Sequence, residues 1–87
     1  MHENRVLFVD DEPYVLEGLR RMMHPYMGQW RCDFVSSGEE ALRAFQEKPY
    51  DVIVSDFRMP GMDGAELLEK VQQLYPDTIR IILSGYT

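Results

Sequence analysis

Four oxygen-bearing side chains follow apolar runs of the sequence. Asp10 and Asp11 come after the first run, Asp56 comes after the second, and Ser84 comes after the third. If folding brings the carboxylates together, each pair about 5 Å apart repels by roughly 3 kcal/mol at an effective dielectric constant of about 20. Such a cluster shares a proton or holds a cation. Oxygen ligands without His or Cys suit a hard divalent ion, and Mg²⁺ is the better prediction.

Each of these residues also has a simpler structural interpretation. An Asp that follows a strand is commonly a helix cap, so either Asp10 or Asp11 alone is explained at least as well by capping. Asp56 alone is equally consistent with a structural role at a strand end, and Ser84 alone carries little information. What favours a site is that three separate apolar runs are each followed by at least one of these polar residues.

The hydrophobic period of the sequence identifies four strands. Three are continuous apolar runs, and one alternates between apolar and polar residues with a period of two. A continuous run is typical of a strand covered on both faces, whereas alternation is typical of a half-exposed strand. The continuous runs are 6–9, 52–54 and 81–83, the last of them within a strand predicted over 79–83, and the alternating strand is 30–34.

A helix is predicted after each of the first three strands. Pro13 stands in the first turn of the first helix, where proline is tolerated. Ser37 with Glu40, and Asp63 with Glu66, have the capping-box spacing at the starts of the second and third helices. The apolar faces predicted for the three helices are Val15, Leu16, Leu19, Met22 and Met23, then Ala41, Leu42, Ala44 and Phe45, then Leu67, Leu68, Val71 and Leu74.

This βαβαβαβ order predicts an α/β fold, a parallel sheet with helices on both faces. The flavodoxin-like strand order 2-1-3-4 fits best, with the alternating strand at one margin. The fourth strand has the character of an interior strand, but nothing after it in the sequence covers its outer side. Neighbouring strands lie about 4.8 Å apart and their carboxyl ends share one edge, so Asp10, Asp11, Asp56 and Ser84 are expected to form one site.

Length, charge and cysteine content exclude several classes of protein. Eighty-seven residues are enough for a single domain. The net charge of −6 argues against nonspecific nucleic-acid binding. No apolar run approaches the length of a membrane span and no signal-peptide pattern is present, so a cytoplasmic location is expected. Cys32 is the only cysteine, which excludes an internal disulfide.

Three segments, "VLFVDDEP", "DVIVSDFRMPGMDG" and "IRIILSGY", resemble in order the CheY-like receiver domain of two-component response regulators. The resemblance implies that Asp56 accepts a phosphoryl group from a histidine kinase, a phosphotransfer protein or a small phosphodonor. It implies that Asp11, Asp56 and the backbone carbonyl of Arg58 bind Mg²⁺, with Asp10 acting mostly through water. It also implies that the Ser84 hydroxyl hydrogen-bonds the phosphoryl group and drives a conformational switch.

The resemblance covers only the first part of a receiver. Members of that family continue with a fourth helix, a fifth strand that carries a lysine at the site, and a fifth helix, none of which is in this sequence. The chain is therefore expected to be one truncated receiver domain over residues 1–87, with the fifth strand missing. We expect weak stable phosphorylation, because the lysine is missing, and self-association through the exposed fourth strand.

The resemblance implies a signalling domain rather than an enzyme, with at most self-phosphotransfer and autodephosphorylation. The segments are also similar to receivers joined to cyclic-dinucleotide phosphodiesterase domains, so an output domain of that kind outside this chain is one interpretation. A haloacid dehalogenase-like phosphatase is disfavoured, because Arg58 stands where that family has a second aspartate. A non-phosphorylated receiver-like interaction module is the alternative, although such a module is expected to lack Asp56 or part of the acidic pair.

Overall fold

The computed structural model describes residues 3–83 of the chain. Residues 1, 2 and 84–87 lie outside that range. The prediction for Ser84 therefore concerns a residue outside the described part of the chain. None of the helices within residues 3–83 combines the length and the apolar character that crossing a bilayer requires.

The elements follow one another in the predicted order, strand then helix three times and then a last strand. A short 3₁₀ helix, which the sequence had not indicated, extends the first helix. The strands are β1 (Asn4–Val9), β2 (Trp30–Val35), β3 (Val52–Asp56) and β4 (Ile79–Leu83). The helices are α1 (Pro13–Met23), α2 (Gly38–Glu47) and α3 (Gly64–Leu74), and the 3₁₀ helix is His24–Tyr26.

The four strands form one parallel sheet in the order β2-β1-β3-β4, which confirms the flavodoxin-like prediction. The register aligns Phe8 with Phe34 on one side and with Val54 on the other, and Val54 with Ile81. Aligned residues of neighbouring strands share a face of the sheet, because side chains alternate along each strand. The register also brings the carboxyl ends of β1 and β3 side by side.

Side chains cap the second and third helices at the predicted positions. Ser37 Oγ accepts a hydrogen bond from the backbone N–H of Glu40 at 3.1 Å, and Asp63 Oδ1 accepts one from that of Glu66 at 2.8 Å. The Glu40 carboxylate reaches back to the N–H of Ser36 at 2.9 Å, one residue earlier than in a standard capping box. Each cap typically stabilises a helix by about 1 kcal/mol, so the starting points of both helices are well defined.

Two apolar clusters cover opposite faces of the sheet. The larger lies between the sheet and helices α2 and α3, where Leu7 and Ile53 are fully buried. The smaller lies under α1 and contains Phe8 and Val54, with the Phe34 ring stacked on Phe8 at 5.2 Å between centroids. The larger cluster comprises Leu7, Val9, Ala41, Phe45, Tyr50, Ile53, Met59, Leu67, Leu68 and Val71.

The fourth strand stands at the margin of the sheet. Among residues 3–83, β3 is the strand that pairs with it, and its outer edge is unpaired. The side chains of Ile79, Ile81, Ile82 and Leu83 are between 38% and 60% exposed. The apolar pattern of an interior strand therefore coexists with an exposed position.

Two residues assigned to the apolar helix faces are exposed instead. Met22 is 59% exposed near the end of α1, and Leu74 is 61% exposed at the last position of α3. The prediction that they belong to the core is wrong, because helical spacing identifies the side of a helix but not how far the neighbouring layer extends. Met23, by contrast, packs against the smaller cluster as expected.

Candidate metal centre at the carboxyl edge of the sheet

Three of the predicted site residues meet where β1 and β3 end. Asp10 and Asp11 follow Val9, the last residue of β1, and Asp56 is the last residue of β3. One carboxylate oxygen from each of the three side chains lies within 4.8 Å of the other two. The predicted convergence of the two strand ends thus brings three carboxylates to one point.

The three carboxylates differ in exposure. Asp10 is buried, with 5% of its surface accessible, whereas Asp11 and Asp56 are half-buried. Asp10 Oδ1 accepts a hydrogen bond from the backbone N–H of Glu12 at 2.9 Å, which fixes its orientation. The cluster therefore has one rigid, buried member and two members that solvent can reach.

The pKa of Asp10 is raised above the ordinary value of an aspartate. Burial is the main cause, because it disfavours the charged form, and the negative charges of Asp56 and Asp11 act in the same direction. The hydrogen bond from the Glu12 N–H opposes the shift. The raised pKa therefore reflects the burial of Asp10 first, and the concentration of negative charge at this edge second.

The donor set of the cluster fits a hard divalent cation. All three side chains offer carboxylate oxygens, which Mg²⁺ prefers, and the cluster holds no His or Cys ligand that would favour a softer metal. A bound cation would offset the repulsion that raises the Asp10 pKa. The residues present therefore fit Mg²⁺, with the waters that this ion usually retains.

The loop from β3 to α3 holds the remaining predicted ligand, the backbone carbonyl of Arg58. Arg58 lies two residues after Asp56 and is exposed, while the next residue, Met59, is 8% exposed and anchored in the larger apolar cluster. Gly61 has a φ of 75°, a conformation that glycine adopts without steric cost. The loop is therefore shaped by a buried anchor and a glycine turn rather than left free.

Two residues at the site were not predicted from the sequence. Ser55 is fully buried, and its hydroxyl donates a hydrogen bond to the backbone carbonyl of Asp56 at 2.9 Å. Gly64, the first residue of α3, donates its N–H to the carbonyl of Phe57 at 2.9 Å. A serine in an otherwise apolar strand was the only signal for the first, and the glycine after the Asp63 cap was the only signal for the second.

Comparison with known protein families agrees with this geometry. The family model described as "Response regulator receiver domain" matches residues 6–87. The hydrogenase transcriptional regulatory protein HoxA of Cupriavidus necator is 42% identical over 82 residues, which are 94% of this chain and 16% of that protein. The chain thus spans well under a quarter of the length of this curated relative.

Solved structures show the same fold. The signal receiver domain of an HD domain-containing protein from Pseudomonas fluorescens Pf-5 is 29% identical, with a TM-score of 0.92 over 98% of this chain and 66% of that one. The response regulator TrrA of Thermotoga maritima, solved in complex with Mg²⁺-BeF, is 33% identical, with a TM-score of 0.86 over 97% of this chain and 71% of that one. The chain belongs to the response regulator receiver domain family of two-component signalling.

Proposed function

We propose that this chain is a phosphoacceptor receiver domain in which Asp56 takes a phosphoryl group with the help of Mg²⁺. The observation that supports this most is the meeting of Asp10, Asp11 and Asp56 within 4.8 Å at the carboxyl edge of the sheet. The Mg²⁺-BeF complex of the similar TrrA protein supports the choice of metal. In this proposal the domain is a signalling module, with at most self-phosphotransfer and autodephosphorylation as its own chemistry.

The three carboxylates have different roles in the proposed site. Asp11, Asp56 and the backbone carbonyl of Arg58 would hold Mg²⁺ directly, and the buried Asp10 would act mostly through water. When bound, the ion supplies positive charge that offsets the negative charge of the incoming phosphoryl oxygens. The Glu12 N–H bond to Asp10 keeps that carboxylate oriented in the absence of the ion.

The proposed transfer is a displacement at phosphorus by the Asp56 carboxylate. An oxygen of Asp56 attacks the phosphorus atom, a P–O bond forms, and the P–N or P–O bond to the donor breaks, with its electron pair leaving on the donor group. Catalysis of this kind depends mainly on in-line positioning and charge stabilisation. The product is an acyl phosphate on Asp56.

Ser84 is the proposed sensor of that product. In the sequence it directly follows Leu83, the last residue of β4, and β4 pairs with the strand that carries Asp56. A phosphoryl group on Asp56 offers strong acceptor oxygens to a serine hydroxyl. We propose that this hydrogen bond moves the end of β4 and the following loop.

Stable phosphorylation of this 87-residue chain is proposed to be weak. Of its two lysines, Lys48 forms an ion pair with Asp33 at 3.5 Å, and Lys70 lies within α3. The family resemblance places a lysine at the phosphoryl group, and without it one source of charge stabilisation is lost. The acyl phosphate is then expected to form slowly and decay fast.

The proposed donor is a histidine kinase or a phosphotransfer protein in the cytoplasm. An output domain outside this chain would carry the response, and a cyclic-dinucleotide phosphodiesterase is one proposed form of it. The similar receiver from Pseudomonas fluorescens belongs to an HD domain-containing protein. HoxA, a transcriptional regulatory protein, supports another form. The net charge of −6 makes direct nucleic-acid binding by this chain itself unfavourable.

Mg²⁺ dependence of phosphoryl incorporation tests the proposed function. With acetyl phosphate or phosphoramidate and Mg²⁺, intact-mass spectrometry at short times is expected to find a minor population carrying one added phosphoryl group. With EDTA in place of Mg²⁺ that population is expected to vanish, because the carboxylates then repel the donor. Equal incorporation in EDTA contradicts the proposed role of the metal, and no incorporation under any condition favours the non-phosphorylated interaction module.

The exposed edge of β4 is proposed to mediate self-association of this chain. Its outer edge has no pairing strand within residues 3–83, and together with four exposed apolar side chains this edge forms a template for a further strand. A second copy supplies such a strand by pairing or by exchange of elements. That pairing would bury the exposed apolar side chains of β4 and give hydrogen-bond partners to the backbone groups on its outer edge.

Sedimentation velocity at micromolar concentration tests this association. The wild-type chain is expected to sediment as dimers or larger species, and Ile81→Lys is expected to shift it toward monomer, because a lysine on an edge strand disfavours pairing. Met22→Lys adds the same charge to an exposed apolar position on α1 and is expected to behave like the wild type. A monodisperse wild-type monomer contradicts the proposal.

A further inference from the structure

Gly64 closes the loop that separates the end of β3 from the start of α3. It is buried at the first position of the helix, and its N–H donates to the carbonyl of Phe57 at 2.9 Å. This hydrogen bond returns the chain to the residue directly after Asp56. The loop that contains Arg58 is therefore anchored at both ends to the same point of the backbone.

There is no space for a side chain at Gly64. A Cβ atom built there would lie 2.2 Å from the carbonyl oxygen of Asp56, 3.0 Å from the Cα of Phe57 and 3.1 Å from the carbonyl carbon of Asp56. All three atoms belong to the backbone, so none can move away by a side-chain rotation. Among the described glycines, Gly61 is the one with a positive φ. The backbone conformation of Gly64 is therefore open to other residues, and it is the small size of glycine that this position requires.

We infer that Gly64 is a positioning residue for the Asp56 site, an inference that rests on the proposed function. A Cβ at this position must push the backbone at Asp56 and Phe57 away by about 1 Å to reach an ordinary contact distance. That displacement falls on the proposed nucleophile and on the peptide leading to the Arg58 carbonyl. Mutation of the groups that orient metal ligands typically costs about 10- to 100-fold in metal affinity.

Two other glycines of the chain provide a graded comparison. A Cβ at Gly38 would lie 2.7 Å from Met62 Sδ, the flexible end of a side chain, which can turn away at moderate cost. A Cβ at Gly18, within α1, would meet no atom within 4 Å. The effect of alanine on the site is therefore expected to fall from Gly64 to Gly38 to Gly18.

Mg²⁺ titration by calorimetry, together with backbone NMR of the metal-free protein, tests the inference on the whole chain. Gly64→Ala is expected to lower Mg²⁺ affinity about tenfold or more and to shift the amide signals of Asp56, Phe57 and Arg58. Gly18→Ala is expected to leave both unchanged and to raise stability, because alanine is the better helix former. Gly38→Ala is expected to lie between the two.

A loss of Mg²⁺ affinity could come from lower overall stability or from a displaced site. To separate the two, Mg²⁺ affinity and the amide signals are also measured in the Gly18→Ala, Gly64→Ala double variant, and in Gly64→Ala with sucrose, which favours the folded state. A site that stays weak after stability is restored supports the inference, and a site that recovers its affinity overturns it. Unchanged amide signals in Gly64→Ala also overturn it, whether or not the metal binds. If the wild type binds no Mg²⁺ while Gly64→Ala still shifts the Asp56 amide, the metal proposal fails and the positioning role of Gly64 stands.

Discussion

Phosphoryl incorporation is expected to be lost when Asp56 is replaced by Asn. The amide keeps the size and shape of the carboxylate but has no anionic oxygen to attack phosphorus. It also removes one of the three charges that meet within 4.8 Å, so Mg²⁺ binding is expected to weaken as well. Intact-mass spectrometry with acetyl phosphate and Mg²⁺ measures the loss directly, and the expected gain of mass in Asp56→Asn is nil.

Asp63→Asn is the matched control for this substitution. Asp63 is an exposed aspartate of the same loop, and it caps α3 by accepting the N–H of Glu66. Because Asn caps a helix about as well as Asp, this variant is expected to stay folded and to incorporate phosphoryl groups as the wild type does. Incorporation in Asp56→Asn equal to that in Asp63→Asn would mean that another residue is the acceptor.

The largest effect on stability is expected from Leu67→Ala. Leu67 is fully buried in α3 at the centre of the larger apolar cluster, and its truncation leaves a cavity between the helix and the sheet. Such substitutions cost about 2–5 kcal/mol. A domain of this size has a total stability on the order of 5–10 kcal/mol, so the variant is expected to be partly unfolded at 37 °C.

Leu74→Ala makes the same chemical change in the same helix. Leu74 is 61% exposed, so this substitution is expected to cost less than about 1 kcal/mol. Urea denaturation followed by circular dichroism measures both values. Similar midpoints for the two variants would contradict the placement of α3 on the sheet.

The parts of the fold that depend on local pattern were predicted from the sequence. The apolar runs at β1 and β3, the alternation in β2 and the caps at Ser37 and Asp63 each follow from a few neighbouring residues. The convergence of Asp10, Asp11 and Asp56 was predictable too, because parallel strands bring their carboxyl ends to one edge. In a regular parallel sheet, residues that follow neighbouring strands therefore lie close together even when they are far apart in the sequence.

The features that depend on contacts between distant elements were not predicted. The bond from the Tyr50 hydroxyl to Asp33 at 2.5 Å joins two segments whose sequences give no sign of each other. The exposure of Met22 depends on how far the sheet extends beneath α1 rather than on the spacing of apolar residues. The close approach of Gly64 to the Asp56 backbone depends on the path of the whole loop. Only three-dimensional packing determines contacts of this kind.

Chemical trapping of the acyl phosphate tests the proposed function most directly, because it does not require the modified state to be stable. Borohydride reduces an aspartyl phosphate to homoserine, and peptide mapping then locates the residue that carried the phosphoryl group. After brief exposure to phosphodonor and Mg²⁺, homoserine is expected at position 56 and is expected to be absent when EDTA replaces Mg²⁺. Homoserine at position 10 or 11, or a wild-type chain with no homoserine at all, would contradict the assignment of Asp56 as the phosphoacceptor.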